Sequence, residues 1–311
     1  MMQFFQETHI DFLRVRKYAM SFSAGLILLG IVSLLLKGGP RYGVDFLGGT
    51  EINVHFQQQH NTAEVRGALS QLGYGEAEIK QFGSASDFLI RVQQQQGQGT
   101  QVSDNILEAL RKVFPSDELT VRSIESVGPK IGQELRTNAI FAVLISLGLL
   151  LIYISIRFEF IFAVGAIIAL FHDVMVTLSF FSLFNLEISL AVVAAFLTLV
   201  GYSLNDTIVV MDRIRENNRL LRRENRDIKH IINLSINQTL ARTILTSLTT
   251  FIVVVVLFFF GGEVIHNFAF CMLVGIIAGS YSTIYIAAPV VVEWYKKHEV
   301  QKIKRSPVAV R

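Results

Sequence analysis

Cysteine is almost absent. A single Cys271 in 311 residues excludes an intrachain disulfide framework, and it reads as an inert, small apolar residue. Charge is also scarce: Asp, Glu, Lys and Arg make up 17% of the chain, where a soluble globular domain carries about 25%. Catalytic signatures are missing too. The chain has no P-loop, no His-Glu-x-x-His, no Gly-x-Ser-x-Gly and no Cys/His cluster with metal-ligand spacing. These absences predict a protein that is not an enzyme, with no catalytic residue, no metal and no cofactor. What is abundant is hydrophobic side chain, 51% of residues, which excludes disorder. The net charge of +3 would point to nucleic acid in a soluble protein. Here the basic residues sit beside apolar runs, so they read as membrane topology and no nucleic-acid partner is expected.

Six apolar segments stand out, at 18–36, 138–156, 160–184, 188–210, 243–260 and 268–292. Each is near the ~17–25 residues that cross a bilayer. The first follows Arg14, Arg16 and Lys17. It is longer than a signal-peptide core and has no small-x-small site after it, so it is expected to be a retained span. Basic residues fall in alternate connections: Arg157, the run Arg213, Arg215, Arg219, Arg222, Arg223, Arg226 and Lys229, and the tail Lys296, Lys297, Lys302, Lys304 and Arg305. The intervening turns around 185–187 and 261–267 have none. The charge rule then predicts cytoplasmic tails at 1–17 and 293–311.

The one long polar stretch, 37–137, is expected on the opposite side. It reads as strand 50–56, helix 62–72, strands 78–82 and 88–92, helix 102–113 and strand 119–125, with a Gln-rich loop at 93–101. That β-α-β-β-α-β order is the ferredoxin-like pattern. The predicted fold class is thus an α-helical polytopic membrane protein of six spans with an inserted α+β ferredoxin-like domain. Residues 212–238 read as one or two amphipathic helices on the cytoplasmic surface, or as a solvated orientation signal.

Ionisable groups inside spans cost about 2.5–3.5 kcal/mol at the bilayer centre, so they mark protein interior or a water path. Three places qualify. His172-Asp173 sits mid-span with Thr177 one turn on, either a second intramembrane polar site or a hydrogen-bonded packing pair. Asp206 shares a helix face with Thr198 and Tyr202, roughly one to two turns inside the cytoplasmic end. Arg242 opens the fifth span, with Thr246 and Thr250 on its face. Both spans enter from the same side, so Asp206 and Arg242 are expected to meet as an ion pair at similar depth. Alternatively Arg242 is only a topological anchor. A pair lined by hydroxyls suits proton coupling, because protonating the carboxylate loosens it and shifts a two-state equilibrium. Gly275-Ile-Ile-Ala-Gly279 reads as a close-packing motif. His9, His55, His60, His230, His266 and His298 are scattered.

Several segments together resemble the SecF family of the bacterial Sec protein-export machinery: 42–50 (YGVDFLGGT), 127–132 (VGPKIG), 169–174 (ALFHDV), 201–206 (GYSLND) running on to 213–217 (RIREN), and 238–243 (QTLART). In this order they cover nearly the whole chain. The resemblance implies a resistance-nodulation-division type membrane fold of which this chain supplies half, in the bacterial inner membrane, with 37–137 periplasmic. It implies partnership with SecD, the SecYEG channel and YajC. Proton motive force would drive late, SecA-independent movement of an unfolded secretory polypeptide. It carries proton conduction over to Asp206 and Arg242, and more weakly to Thr246. Gly48-Gly49 is expected to give a tight turn into the first strand. Three other readings compete: a small-molecule exporter of the same superfamily, an aspartyl protease using Asp173 and Asp206, and an assembly factor without an ion path. The protease is disfavoured because its two carboxylates must converge on one water, whereas Asp173 is central and Asp206 near a span end.

Overall fold

The computed structural model describes residues 8–81, 84–92, 101–157, 159–221 and 227–305. In chain order, after a 3-10 turn at Phe12–Arg14, its elements are α1 (Arg16–Leu36), β1 (Arg41–Tyr42), α2 (Val44–Leu47), β2 (Gly49–Phe56), α3 (Thr62–Ser70), β3 (Glu78–Gln81), β4 (Asp87–Val92), α4 (Gln101–Val113) and β5 (Leu119–Val127). There follow α5 (Pro129–Arg157), α6 (Phe160–Leu183), β6 (Glu187–Ile188), α7 (Leu190–Leu221), α8 (Ile228–Phe260), α9 (Glu263–Ser282), a π-helical turn (Thr283–Ala287) and α10 (Ala288–Arg305). The Gln-rich stretch 93–100 and Arg222, Arg223 and Arg226 lie outside the described residues. The chain divides into two compact units, one of Met1–Arg41, Val143–Leu186 and Ala191–Arg311, the other of Tyr42–Ala142 with Glu187–Leu190.

The second unit holds the expected ferredoxin-like core. Its sheet runs β3-β4-β2-β5 with every neighbouring pair antiparallel. Alternation along β2 puts Ile52, Val54 and Phe56 on one face, and all three are fully buried beneath α3 and α4 with Phe88, Ile90, Leu69, Ile106 and Leu110. A reciprocal capping box between Asn61 and Glu64 starts α3. The opposite face carries a charged ladder. Arg91 on β4 stands across from Glu78 on β3 and Glu51 on β2, and Glu51 in turn stands across from Glu125 on β5. Gly48 has φ +75°, and a Cβ there would meet the Pro129 Cα at 2.7 Å. The glycine therefore serves a left-handed turn and also the close approach of the first turn of α5.

In the other unit α6 is the most enclosed span, with α7 and the last span beside it; α1, α5 and α8 bury much less. Glycines set two of these contacts. A Cβ at Gly30 would stand 2.6 Å from the Ser179 Cα, so α1 lies against α6 there. Cβ atoms at Gly275 and Gly279 would meet Leu199 and Ser203, so the small-residue motif of α9 packs on α7, as its spacing predicts.

Residues 212–238 differ from expectation. They are not separate surface helices: α7 runs on to Leu221 and α8 begins at Ile228. The two extensions are joined by polar contacts. Asn217 Nδ2 donates to Ser235 Oγ (2.9 Å) and Gln238 Oε1 (2.7 Å), and Arg213 Nε donates to Gln238 Oε1 (2.7 Å). The segment before α1 docks there too, since the Ile10 and Phe12 amides donate to Asn237 and Asn233, each at 2.9 Å. Hydropathy ends where lipid ends, whereas the helical hydrogen-bond ladder continues as long as side chains cover it.

Candidate functional site

The extended helices change where the candidate residues lie along them. Both helices run past their apolar segments, so Asp206 is near the midpoint of α7 and Arg242 near the middle of α8, while their places relative to the apolar segments 188–210 and 243–260 are unchanged. The two remain matched along neighbouring helices. Asp206 is 5% exposed, and its carboxylate faces hydroxyls of α8. Thr246 Oγ1 reaches Oδ1 at 3.4 Å and Ser247 Oγ reaches Oδ2 at 3.2 Å. Thr246 has one hydroxyl proton and also lies 3.0 Å from the carbonyls of Arg242 and Thr243. It is therefore poised between its own helix and the carboxylate. Ser247 Oγ is also 2.7 Å from Ser280 Oγ, bringing the last span into the group. Tyr202 OH donates to the Thr246 carbonyl at 3.0 Å.

The expected Asp206–Arg242 ion pair is not formed. Among the described residues no Lys or Arg nitrogen lies within 4.0 Å of the Asp206 carboxylate. The Arg242 guanidinium attracts Asp206 only from a longer distance, and its side chain is exposed on the surface of α8. The groups level with the carboxylate are Thr246 and Ser247, one turn further along α8 than Arg242, and their short hydroxyls make the contact.

Asp173, 1% exposed, has its own set of partners. Its Oδ2 accepts from Ser203 Oγ (2.6 Å) and Ser282 Oγ (2.9 Å), and Oδ1 lies 3.0 Å from His172 Nδ1. Thr177, expected beside it, donates instead to the Asp173 backbone carbonyl at 2.8 Å. The His172 ring stacks on Tyr281 at 5.9 Å, and its Nε2 is buried without a hydrogen-bond partner. Thr207 and Thr283 share a hydrogen bond of 2.9 Å beside this group. Asp173 and Asp206 share no donor, so they do not converge as a protease pair. This argument replaces the one from depth. Among the described residues no group of three His, Cys, Asp or Glu could hold a metal.

The serines were not singled out from sequence. Ser247, Ser280 and Ser282 become meaningful only when three helices are brought together. Ser203 carried a usable signal, since it lies three residues before Asp206 on the same face.

A second polar cluster belongs to the unit of the sheet. Arg91 hydrogen-bonds both Glu51 and Glu187, and Lys80 Nζ lies 2.8 Å from Glu187 Oε1. Burial works to raise the Glu187 pKa, but the hydrogen bonds and charges of Arg91 and Lys80 outweigh it and bring it down to about 2. Nearby, Asp45 Oδ2 accepts from the Leu190 amide at 2.8 Å, placing a carboxylate at the first residue of α7.

Six apolar helices, buried carboxylates held by hydroxyls and one inserted α+β domain define a polytopic membrane protein with a polar centre between its spans. The family described as protein export membrane protein SecD/SecF, C-terminal, matches residues 106–297, and the SecD/SecF GG motif matches residues 33–59. Protein translocase subunit SecF of Rhodothermus marinus is 45% identical over 298 residues, 94% of this chain and 95% of that protein. SecF of Thermodesulfovibrio yellowstonii is 43% identical over 293 residues, 94% of this chain and 96% of that protein. Among solved structures, SecDF of Thermus thermophilus, a translocon-associated membrane protein, matches with a TM-score of 0.82 at 39% identity. The match covers 93% of this chain and 39% of that one, so this chain spans about two fifths of the longer SecDF chain. The chain belongs to the SecF family of protein translocase subunits.

Proposed function

We propose that this chain works as the SecF half of a proton-driven complex with a SecD-type partner, in the bacterial inner membrane beside the SecYEG channel and YajC. The complex promotes late movement of an unfolded polypeptide after ATP-driven steps. The chain makes and breaks no covalent bond. Its termini are cytoplasmic and the ferredoxin-like unit is periplasmic. The charge distribution supports that orientation: Arg213, Arg215, Arg219 and Lys229 flank the α7–α8 connection, while the turns at 185–187 and 261–267 have no Lys or Arg. Partnership is supported by the solved SecDF chains, of which this chain matches about two fifths.

One observation carries the reading. Asp206 is buried midway along α7, faces hydroxyl protons of Thr246 and Ser247, and among the described residues has no cation in contact. Such a carboxylate gains a proton without losing a salt bridge, and the hydroxyls reorient when it does. Arg242 lies exposed one turn before Thr246, where its charge is the nearest on α8 to the pair of hydroxyls that face Asp206. A proton crossing the membrane field releases ~2.3 kcal/mol per 100 mV, which is the energy source.

The test is export driven by an imposed proton gradient in vesicles whose only copy carries Asp206→Asn. Insertion and assembly are expected to be intact and gradient-driven export lost. Normal export would overturn the proton-carrying role and leave an assembly factor. Arg242→Met, with topology checked separately, is expected to lose export too, and Arg242→Lys to be partly defective because a flexible point charge replaces a planar fork. Silent Arg242 variants would mark it as a topological anchor. Gradient-driven efflux of a small molecule without polypeptide movement would favour the exporter.

A further inference from the structure

The Asp173 group is more than glue between helices. Among the described residues its carboxylate is the most deeply enclosed acid of the bundle, it has three donors and no Lys or Arg within 4.0 Å, and the histidine beside it keeps a bare ring nitrogen in the interior. A polar knot that only held α6, α7 and α9 together would satisfy that nitrogen, because buried polar atoms left unpaired are rare and costly. We propose that His172 and Asp173 form a proton-binding dyad, a second titrating centre that works in series with Asp206. The proposal rests on the proton-coupled reading above and deepens it.

The proton balance is simple. In the empty state Asp173 is a carboxylate. Oδ2 accepts from Ser203 and Ser282, Oδ1 accepts the Nδ1–H of neutral His172, and Nε2 is free. Loading adds one proton at Nε2, and the Nδ1 proton passes to Oδ1. The dyad goes from one negative charge to neutral, and no other covalent bond changes. Release is the reverse. The imidazole thus connects its unpaired side to a carboxylate that nothing else with a labile charge touches. Of the other titratable groups, Tyr281 stacks on His172 with Tyr285 beyond it on the last span, and Asp206 lies on α7 one turn past Ser203, facing Thr246 and Ser247 of α8.

Two links join the dyad to Asp206. Ser203 donates to Asp173 and lies three residues before Asp206 on α7. On the last span, Ser282 donates to Asp173 and Ser280 pairs with Ser247, which donates to Asp206. Ser282 has an alternative acceptor in the Gly279 carbonyl at 3.1 Å, so neutralising Asp173 lets it fall back onto its own helix. It does so at the start of the π turn Thr283–Ala287, the one place where the ladder of the last span is already widened. Protonation is thereby tied to a local rearrangement of the helix that touches both acids.

The test uses the full chain reconstituted with its SecD-type partner and the channel, with two readouts. Infrared titration is expected to show two carboxyl groups gaining protons in the wild type. Asp173→Asn should remove one and leave that of Asp206, and Asp206→Asn should do the reverse. The amide keeps acceptance from Ser203 and Ser282, so the fold is expected to stand. Gradient-driven export should fall about a hundredfold in Asp173→Asn, the low end for a positioned proton-transfer group. His172→Gln should keep the Asp173 carboxyl signal but move its midpoint and the pH profile of export. An unchanged infrared titration in Asp173→Asn, or full export by it, would overturn the dyad. Should that variant not assemble, an unchanged pH profile in His172→Gln would overturn it. If Asp206→Asn abolishes export while Asp173→Asn does not, only the dyad fails. If both export normally, the proton-coupled reading fails with it.

Discussion

The two units of this chain treat buried charge in opposite ways. On the open face of the sheet, Glu51 and Glu187 are held by Arg91 and Lys80, while Glu125, across from Glu51, has no Lys or Arg within 4.0 Å among the described residues. Inside the bundle, Asp173 and Asp206 are held by serine and threonine hydroxyls and one imidazole. A salt bridge fixes a protonation state, because removing either charge strands the other. A hydroxyl cradle does not, since a hydroxyl donates to an anion or accepts from an acid by rotating. The Arg91 cluster thus fixes the charges of Glu51 and Glu187, whereas the proton-coupled reading proposed above needs the carboxylates of the bundle to change charge.

Removing a cation is the sharpest way to break this comparison. Arg91→Met leaves Glu51 and Glu187 together without their shared partner, and a loss of about 3 kcal/mol or more in the stability of that unit is expected. Denaturant titration of the detergent-solubilised chain, followed by protease resistance of 42–142, measures it. Asp173→Asn strands no cation and should cost far less by the same assay. Equal costs would erase the distinction.

Packing comes next. Gly30→Ala puts a methyl against the Ser179 backbone, and α1 must move off α6 at about 1–3 kcal/mol. Cysteine cross-linking between the two helices should weaken accordingly. A variant that cross-links and melts like the wild type would show that α1 does not rest there.

Acid separates the units further. The Glu187 pKa falls to about 2 in the folded chain from an ordinary 4.5. Because the folded value is depressed, its contribution is fully present above 4.5 and is lost as pH falls toward 2. About 1–2 kcal/mol is expected after allowance for solvent screening. In Glu187→Gln this part of the acid sensitivity should vanish from a pH series of denaturant midpoints. Persistence of the full slope would place the acid sensitivity elsewhere.

The smallest effect is expected at Thr246→Val, which removes one hydroxyl that already has backbone acceptors. Stability should change by about 0.5–1.5 kcal/mol. The pH profile of export should move more than its maximum does, since Ser247 still faces Asp206. A flat profile with a large loss of maximal rate would assign Thr246 to packing.

Much of this architecture was legible because its signals are local. Alternation at Ile52, Val54 and Phe56 defines a strand face, and long apolar runs define spans wherever they occur. Helix ends were less legible. Asn217, Gln238 and Asn233 look like surface residues until they are seen to join helix extensions to one another and to the segment before α1. The ion pair looks natural from matched depth alone, because spacing along one helix does not say which side chains its neighbour presents.

By itself the sequence determined six apolar spans, a ferredoxin-like insertion and the presence of Asp173 and Asp206 within apolar segments, because hydropathy is a property of single residues and short periods. Only the tertiary structure decided which groups answer those charges. Ser247 and Ser280, Ser203 and Ser282 are ordinary residues on three different helices, and the angle of each about its axis, set by Gly275 and Gly279 against α7, turns them into two separate cradles. Hydrogen bonds are short and directional, so no spacing along one helix could foretell a meeting that depends on the rotation of its neighbours.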